Sequence, residues 1–260
     1  FAPQQTRLLR GNAGLTVAEV PSTDYWYLAL NQRNPPWDQV AARRAIAFAI
    51  DRDGILKVTQ YGTGEVNQLA IGPGSPWYVD YAPFRTDLDE AADLLAQAGY
   101  RGGRMHFLAT SEYPETVTVA QLLADALSPL GIDLRIETVD FATWLDKQSR
   151  GEFDILMMGW LGNNDPNDYY YNQHHSGGSS NAQGYSNPRV DALLDAGRSE
   201  RDEDRRKEIY AQAARIIADE CSYIYLYNPA VRQAWQRSVG GYTARSDAAI
   251  RFRDVTWEEA

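Results

Sequence analysis

Apolar positions along the chain follow two rhythms, one of period two and one near 3.6, and the change between them marks the elements. Residues 15–31 read as two extended runs, Leu15-Thr16-Val17-Ala18-Glu19-Val20 and Tyr25-Trp26-Tyr27-Leu28-Ala29-Leu30-Asn31, split by the turn-prone Pro21-Ser22-Thr23-Asp24. Neither run has a local partner strand. From Asp38 to Ile50 the pattern is helical, with only Arg43 and Arg44 interrupting an apolar surface, so this helix is expected to be largely buried. Pro35-Pro36 precedes it, and Asp51-Arg52-Asp53-Gly54 ends it and opens another helix through Ile55, Leu56 and Val58. Residues 62–83, with four glycines and three prolines, read as irregular. Thr86 is expected to cap a helix whose face is Leu88, Ala91, Ala92 and Leu95, with Gly99 as its left-handed stop.

Strands and helices then alternate. Residues 104–109 and 132–139 read as strands around a helix over 114–130, and a helix over 141–150 leads to the apolar run 153–160, whose continuity predicts a strand buried on both faces. Strand-helix-strand-helix-strand predicts an α/β layer fold. Residues 162–187 read as a second irregular stretch, ending where Asn187-Pro188 starts a helix with Val190, Leu193 and Leu194. A further helix follows, acidic at its start (Asp202, Glu203, Asp204) and apolar along Ile209, Ala213, Ile216 and Ile217. Tyr223 to Tyr227 closes as a strand, and the tail from Gly240 reads as turns with one strand-like run at 250–252.

The 260 residues are 44% hydrophobic, 12% aromatic and 23% charged, enough for one large core or two smaller ones and unlike a disordered or collagen-like chain. Lys+Arg 25 against Asp+Glu 35 leaves a net charge of -10, which argues against nucleic acid and anionic membranes and favours a neutral or cationic partner. Cys221 has no second cysteine to pair with. No apolar run approaches the roughly 20 residues that span a bilayer. The chain starts Phe1-Ala2-Pro3 without an initiator Met and is expected to be a mature or cut portion of a longer protein.

Candidate chemistry is sparse. No Gly-x-Ser-x-Gly elbow is present, Gly62-Thr63-Gly64 lacks the remainder of a dinucleotide loop, and no phosphate-loop lysine follows a glycine run. His174 and His175 are adjacent and lack a ligand at metal spacing; they read as polar loop residues, with no metal or cofactor expected. Asp165 and Asp168 fit a hydrolase acid/base pair only if held on separate elements; in one Asn/Pro-rich turn they read as turn-formers and caps. Aromatic surplus remains at Trp26, Tyr27 and Trp160. Ligands of open α/β sheets collect beyond the carboxyl ends of strands, which makes Trp160-Leu161-Gly162-Asn163-Asn164-Asp165 the best-placed candidate site.

Taken in order, these landmarks resemble the C-terminal half of the extracellular solute-binding protein family 5, the oligopeptide- and dipeptide-binding class of ABC importers. The resemblance is carried by Tyr27-Leu28-Ala29-Leu30-Asn31, Pro35-Pro36-Trp37-Asp38 and the run Arg43 to Arg52. It continues through Ala91 to Tyr100, Gly159-Trp160-Leu161-Gly162, Asp165-Pro166, Gly184 to Pro188 and Asp191 to Leu194, spanning residues 25–240. It implies an α/β, type II periplasmic-binding-protein-like lobe, a mixed sheet flanked by helices, with hinge strands and remnants of a second lobe. Residues 1–32 would be the remnant of the N-terminal lobe and first hinge strand, 33–228 the ligand-binding lobe, and 229–260 the second hinge and return segment.

The resemblance also implies a non-enzymatic receptor that captures an oligopeptide outside the membrane and passes it to ABC permease subunits. An oligosaccharide receptor is the alternative within the fold, and a glycoside or peptide hydrolase using Asp165 and Asp168 the alternative outside it. A signal peptide, a lipid-anchor cysteine and the N-terminal lobe would lie upstream, with membrane contact through that anchor alone. Peptide-binding members carry an acid three positions after the tryptophan, where this chain has Asn163; Met157 and Leu28 stand where one member has an arginine and a glutamate. The implied binding set is therefore Trp26, Leu28, Met157, Trp160, Leu161, Gly162, Asn163, Asn164, Asp165 and Tyr227, with Trp26, Trp160 and Tyr227 as stacking surfaces and Asp165 as a substitute for the missing acid.

Overall fold

A short helix α1 (Thr6–Arg10) leads to strands β1 (Leu15–Pro21) and β2 (Tyr25–Leu30), then helices α2 (Val40–Ala49) and α3 (Arg52–Gln60). The structure, a computed structural model, describes residues 1–257. Asp51 divides the two helices because its carboxylate accepts the Gly54 N–H at 2.9 Å, capping α3. A two-residue strand β3 (Glu65–Val66) lies in the irregular stretch, followed by α4 (Leu88–Gln97). The cap of α4 is Asp87, which accepts from Glu90 N–H at 3.0 Å, and not Thr86, whose hydroxyl is drawn instead to the Ile50 carbonyl at 2.9 Å. Gly99 takes the left-handed conformation expected of it, φ 73°.

The alternating segment follows as β4 (Gly103–Thr110), α5 (Pro114–Leu127), β5 (Ile132–Val139), α6 (Phe141–Arg150) and β6 (Ile155–Trp160). Within the stretch expected to be irregular lies a helix, α7 (Pro166–His174), ahead of α8 (Pro188–Ser199) and α9 (Glu203–Asp219). Strands β7 (Ile224–Asn228), β8 (Ala230–Gln236), β9 (Val239–Gly240) and β10 (Thr256–Trp257) complete the described chain. The expected strand at 250–252 is absent, and the expected return segment 229–260 runs past the described residues at 258–260.

Six strands form one mixed sheet in the order β3-β7-β2-β6-β4-β5, with β4, β5 and β6 parallel and β2 antiparallel between β6 and β7. The run 25–31, expected to lack a local partner strand, is an interior strand of this sheet, flanked on both sides by segments more than 120 residues later in sequence. β1 pairs with β8 from Leu15↔Gln236 to Pro21↔Ala230, forming a separate two-stranded ribbon.

Strand alternation deals side chains to two cores. Leu28, Leu30, Phe107, Ile155 and Met157 face α2 to α5, whereas Tyr25, Tyr27, Leu156 and Met158 face α6 to α9. A bulge in β7 opposite Trp26/Tyr27 breaks this alternation, so Tyr227 joins Trp26 on the first face although Tyr225 points to the second. Arg43 is 2% exposed and Arg52 is also buried; both serve as staples for carbonyls. Arg43 Nε donates to Glu220 O at 2.8 Å and Nη1 to Trp37 O at 2.9 Å, and Arg52 Nε donates to Tyr225 O at 3.0 Å. Burial pulls the Arg52 pKa down to about 10, leaving it charged at neutral pH.

Candidate functional site

The connection β4-α5-β5 steps to one side of β4 and β5-α6-β6 returns to the other, with α5 and α6 on opposite faces of the sheet. Loops therefore part beyond the carboxyl ends of β4 and β6, leaving the crevice that open α/β sheets use for ligands. A cavity of about 380 Å³ occupies it. Its walls come from the loop after β4 (Tyr113), the start of α6 (Phe141 and Trp144), the end of β6 with the residue after it (Trp160 and Leu161), and Trp26 of β2.

Trp26 and Trp160 reach this edge from opposite faces, because Trp26 pairs with Gly159 and Tyr25 with Trp160. Gly159 makes room for the indole: a Cβ there would lie 3.0 Å from the Trp26 ring. Trp26 packs edge-on to Tyr113 at 6.1 Å, and Tyr113 edge-on to Phe141 at 5.6 Å, a linked row of aromatic surfaces. Trp160 Nε1 lies 3.0 Å from the amide oxygen of buried Gln173 in the orientation of that amide that satisfies both neighbours. Leu161 at the mouth is 80% exposed.

One charged residue stands among the described lining residues, Asp24. Its Oδ1 accepts the Gly162 N–H at 3.0 Å, its own N–H donates to Ser22 Oγ at 3.0 Å, and its carbonyl accepts from Asn228 Nδ2 at 2.9 Å. No basic side chain pairs with it among the described residues. Burial raises its pKa above the ordinary Asp value, and the bonds from Gly162 and Ser22 offset this only in part. The approach of Gly162 requires glycine: a Cβ would sit 1.8 Å from the Thr23 carbonyl.

The other expected site residues divide. Asn163 and Asn164 line not the aromatic cavity but a second cleft of about 650 Å³ that also borders Tyr169 and residues 243–246. Leu28 and Met157, paired across β2 and β6, are 0% exposed in the first core and present no surface to a ligand, because the sheet face that bears them is covered by helices. Tyr227 is buried behind Trp26, stacked on it at 6.3 Å. Asp165 lines neither space. It caps α7 through the Asn167 N–H, and its two oxygens share the Nη2 of Arg206 at 2.8 and 3.0 Å. Burial raises its pKa, but Arg206 and the Asn167 N–H outweigh that and leave it below the usual value. Asp168 is exposed on the first turn of α7, so the two carboxylates are not presented to a common cavity.

His174 is the last residue of helix α7 rather than a loop residue, whereas His175 follows the helix as its extended C-cap. His174 is fully buried between Ser222 Oγ at 2.7 Å and Tyr225 OH at 2.9 Å, and burial drives its pKa down to about 3. His175 stacks on Tyr171 at 4.6 Å. Among the described residues no three His, Cys, Asp or Glu side chains are grouped to hold a metal ion. Asp24, Tyr113, Phe141 and Trp144 are among the lining residues that sequence reasoning missed. Their signal lay in the turn before an aromatic strand and in the aromatics just after two predicted strands.

A sequence profile of bacterial extracellular solute-binding proteins, family 5 Middle, matches residues 1–182. The dipeptide-binding protein of Escherichia coli (strain K12) is 24% identical over 267 aligned positions, covering 98% of this chain and 50% of that protein. Di/tripeptide-binding protein 2 of Pseudomonas aeruginosa (strain UCBPP-PA14) is 28% identical, covering 97% of this chain and 49% of that one. The chain spans about half the length of the curated relatives it matches. Among solved structures, the Helicobacter pylori periplasmic binding protein DppA in complex with peptide STSA superposes with a TM-score of 0.87 at 24% identity, covering 98% of this chain and 51% of that chain. These relatives carry the names of binding proteins, and the shared fold is that of periplasmic binding proteins.

Proposed function

We propose that this chain, which belongs to the bacterial extracellular solute-binding proteins of family 5, is the ligand-facing lobe of an ABC-importer receptor that captures a short peptide and hands it to a membrane permease. The observation that carries this reading is the aromatic cavity at the carboxyl edge of the sheet. Trp26, Tyr113 and Trp160 offer rigid apolar faces of the kind that hold a peptide side chain, and one carboxylate lies beside them. The names of the relatives, dipeptide- and di/tripeptide-binding proteins, support a peptide over other solutes. The open mouth at Leu161 supports a ligand enclosed between this lobe and a second one, with hinge strands in 1–32 and 229–260 joining them.

In this reading the protein works outside the cytoplasm, in the periplasm or at the cell surface on a lipid anchor, and performs no chemistry on its ligand. Native mass spectrometry of the protein isolated from its host without refolding tests it. The expected result is a heterogeneous set of bound peptide masses released on denaturation. A hexose-spaced ladder would replace the peptide by an oligosaccharide, and turnover of added peptides would make the protein a hydrolase.

A further inference from the structure

The aromatic cavity holds a carboxylate that pairs with no cation among the described residues. Asp24 sits at the junction of β2 with the loop after β6, fixed by the Gly162 N–H, the Ser22 hydroxyl and Asn228. The Gly162 N–H and the Ser22 hydroxyl are neutral partners of the carboxylate. Among the described residues no side chain supplies it with a positive charge. A half-buried anion left this way is costly, and the usual remedy, a neighbouring Arg or Lys, is present for Asp165 and absent here.

We propose that Asp24 is the charge-recognition residue of this cavity, pairing with an ammonium group on a ligand whose apolar part lies among Trp26, Tyr113 and Trp160. The inference rests on the reading of the cavity as the ligand site and adds the charge of the ligand to it. Three features act together. The carboxylate supplies a charge-assisted hydrogen bond, the indole and phenol faces attract a cation through their quadrupoles, and the net charge of -10 draws cations toward the surface. A neutral ligand would strip water from Asp24 without replacing it, and an anion would meet repulsion as well. The role expected of Asp165 falls in this way to Asp24, on a different strand, since Asp165 is committed to Arg206.

Two probes of equal shape separate the terms: phenethylammonium and 2-phenylethanol, titrated against the chain at pH 7 by ligand-observed NMR. Phenethylammonium is expected to bind about tenfold more tightly, the scale of one partly desolvated charge pair with cation–π support. Asp24→Asn, which keeps an oxygen for the Gly162 N–H, is expected to bring the two probes within about twofold of each other by weakening only the cation. Trp160→Ala is expected to weaken both. Equal affinities in the unaltered chain, or a cation preference that survives Asp24→Asn, would overturn the assignment of Asp24 while leaving the cavity as the ligand site. Binding of neither probe, or binding indifferent to Trp160→Ala, would overturn both. The comparison in the unaltered chain decides the matter even if the Asp24 variant does not fold.

Discussion

The two faces of the six-stranded sheet bury similar numbers of side chains with opposite chemistry. The face under α2 to α5 is largely aliphatic, rich in Leu, Ile and Ala, and its buried polar groups include two arginines that grip backbone carbonyls. The face under α6 to α9 is built from tyrosines, among them Tyr25, Tyr27, Tyr170, Tyr185, Tyr223 and Tyr225, around the neutral imidazole of His174. An aliphatic layer is held by shape and area, whereas a tyrosine layer must also place every hydroxyl. The aromatic cavity opens where the two layers end together, with Trp26 supplied by the first and Trp160 by the second.

The sharpest way to break the first face is through its polar exception. Arg43→Ala leaves the carbonyls of Trp37, Asp38 and Glu220 without their donor and opens a hole beneath α2. A loss of about 3–5 kcal/mol is expected in urea denaturation, the scale for removing a buried charged partner. A loss below about 1 kcal/mol would mean that water replaces the guanidinium and that the staple is dispensable.

The second face should show itself through pH. In the unfolded chain His174 takes up a proton below about pH 6.5, whereas burial among Tyr170, Tyr223 and Tyr225 holds its folded pKa near about 3. The unfolded state thus binds the extra proton between those values, and stability falls as pH drops through that window. Between pH 6.5 and 4.5 this amounts to about 2 kcal/mol, the slope rising toward about 1.4 kcal/mol per pH unit as the unfolded histidine becomes fully protonated. Denaturation of His174→Gln, which keeps polar atoms for Ser222 and Tyr225 but cannot titrate, should lack that slope. An unchanged slope would move its origin to other groups.

This contrast also explains what was legible in the sequence. Helices of the aliphatic face, such as α4 and α5, and β6 with its continuous apolar run, followed from periodicity alone. α7 did not, because Asp168-Tyr169-Tyr170-Tyr171-Asn172-Gln173-His174 has no aliphatic stripe, and its buried side is Tyr169, Tyr170, Gln173 and His174. β8 escaped notice because its one partner, β1, lies more than 200 residues earlier and the ribbon is only half-buried. For the candidate site, surplus tryptophans pointed to the edge of the sheet where the aromatic cavity lies. Asp24 read as a turn residue, since only the register of β2 against β6 brings it beside Gly162, and Leu28 and Met157 read as ligand contacts because position in a motif does not say which face a strand residue takes.

The crossing of Gly162 over Thr23 locks the loop after β6 to the start of β2, the seam where both faces meet. Gly162→Ala would place a methyl 1.8 Å from Thr23 O and 2.5 Å from Tyr169 OH, so backbone must move. A destabilisation of about 1–3 kcal/mol is expected, the range for overpacking, together with loss of the Gly162 N–H bond to Asp24 and weaker binding of phenethylammonium. Full retention of both stability and binding would show that the seam is loose.

The smallest expected effect separates a residue that stabilises from one that binds. Asp165 and Asp24 flank the same loop, yet Asp165 has its cation in Arg206 and lines no cavity. Asp165→Asn keeps an N-cap oxygen for Asn167 and removes only the ion pair, whose carboxylate is 47% exposed. Water screens such a pair, so a stability loss of about 1 kcal/mol or less is expected at pH 7. Because the folded Asp165 pKa lies below its unfolded value, this contribution exists above the ordinary Asp range and is lost as pH falls through the folded value. Phenethylammonium should bind Asp165→Asn as it binds the unaltered chain. If that binding, or cleavage of a peptide or glycoside, instead depended on Asp165, the acid on α7 and not the one before β2 would be the working carboxylate. The division between a stabilised tyrosine face and a ligand-bearing edge would then have to be redrawn.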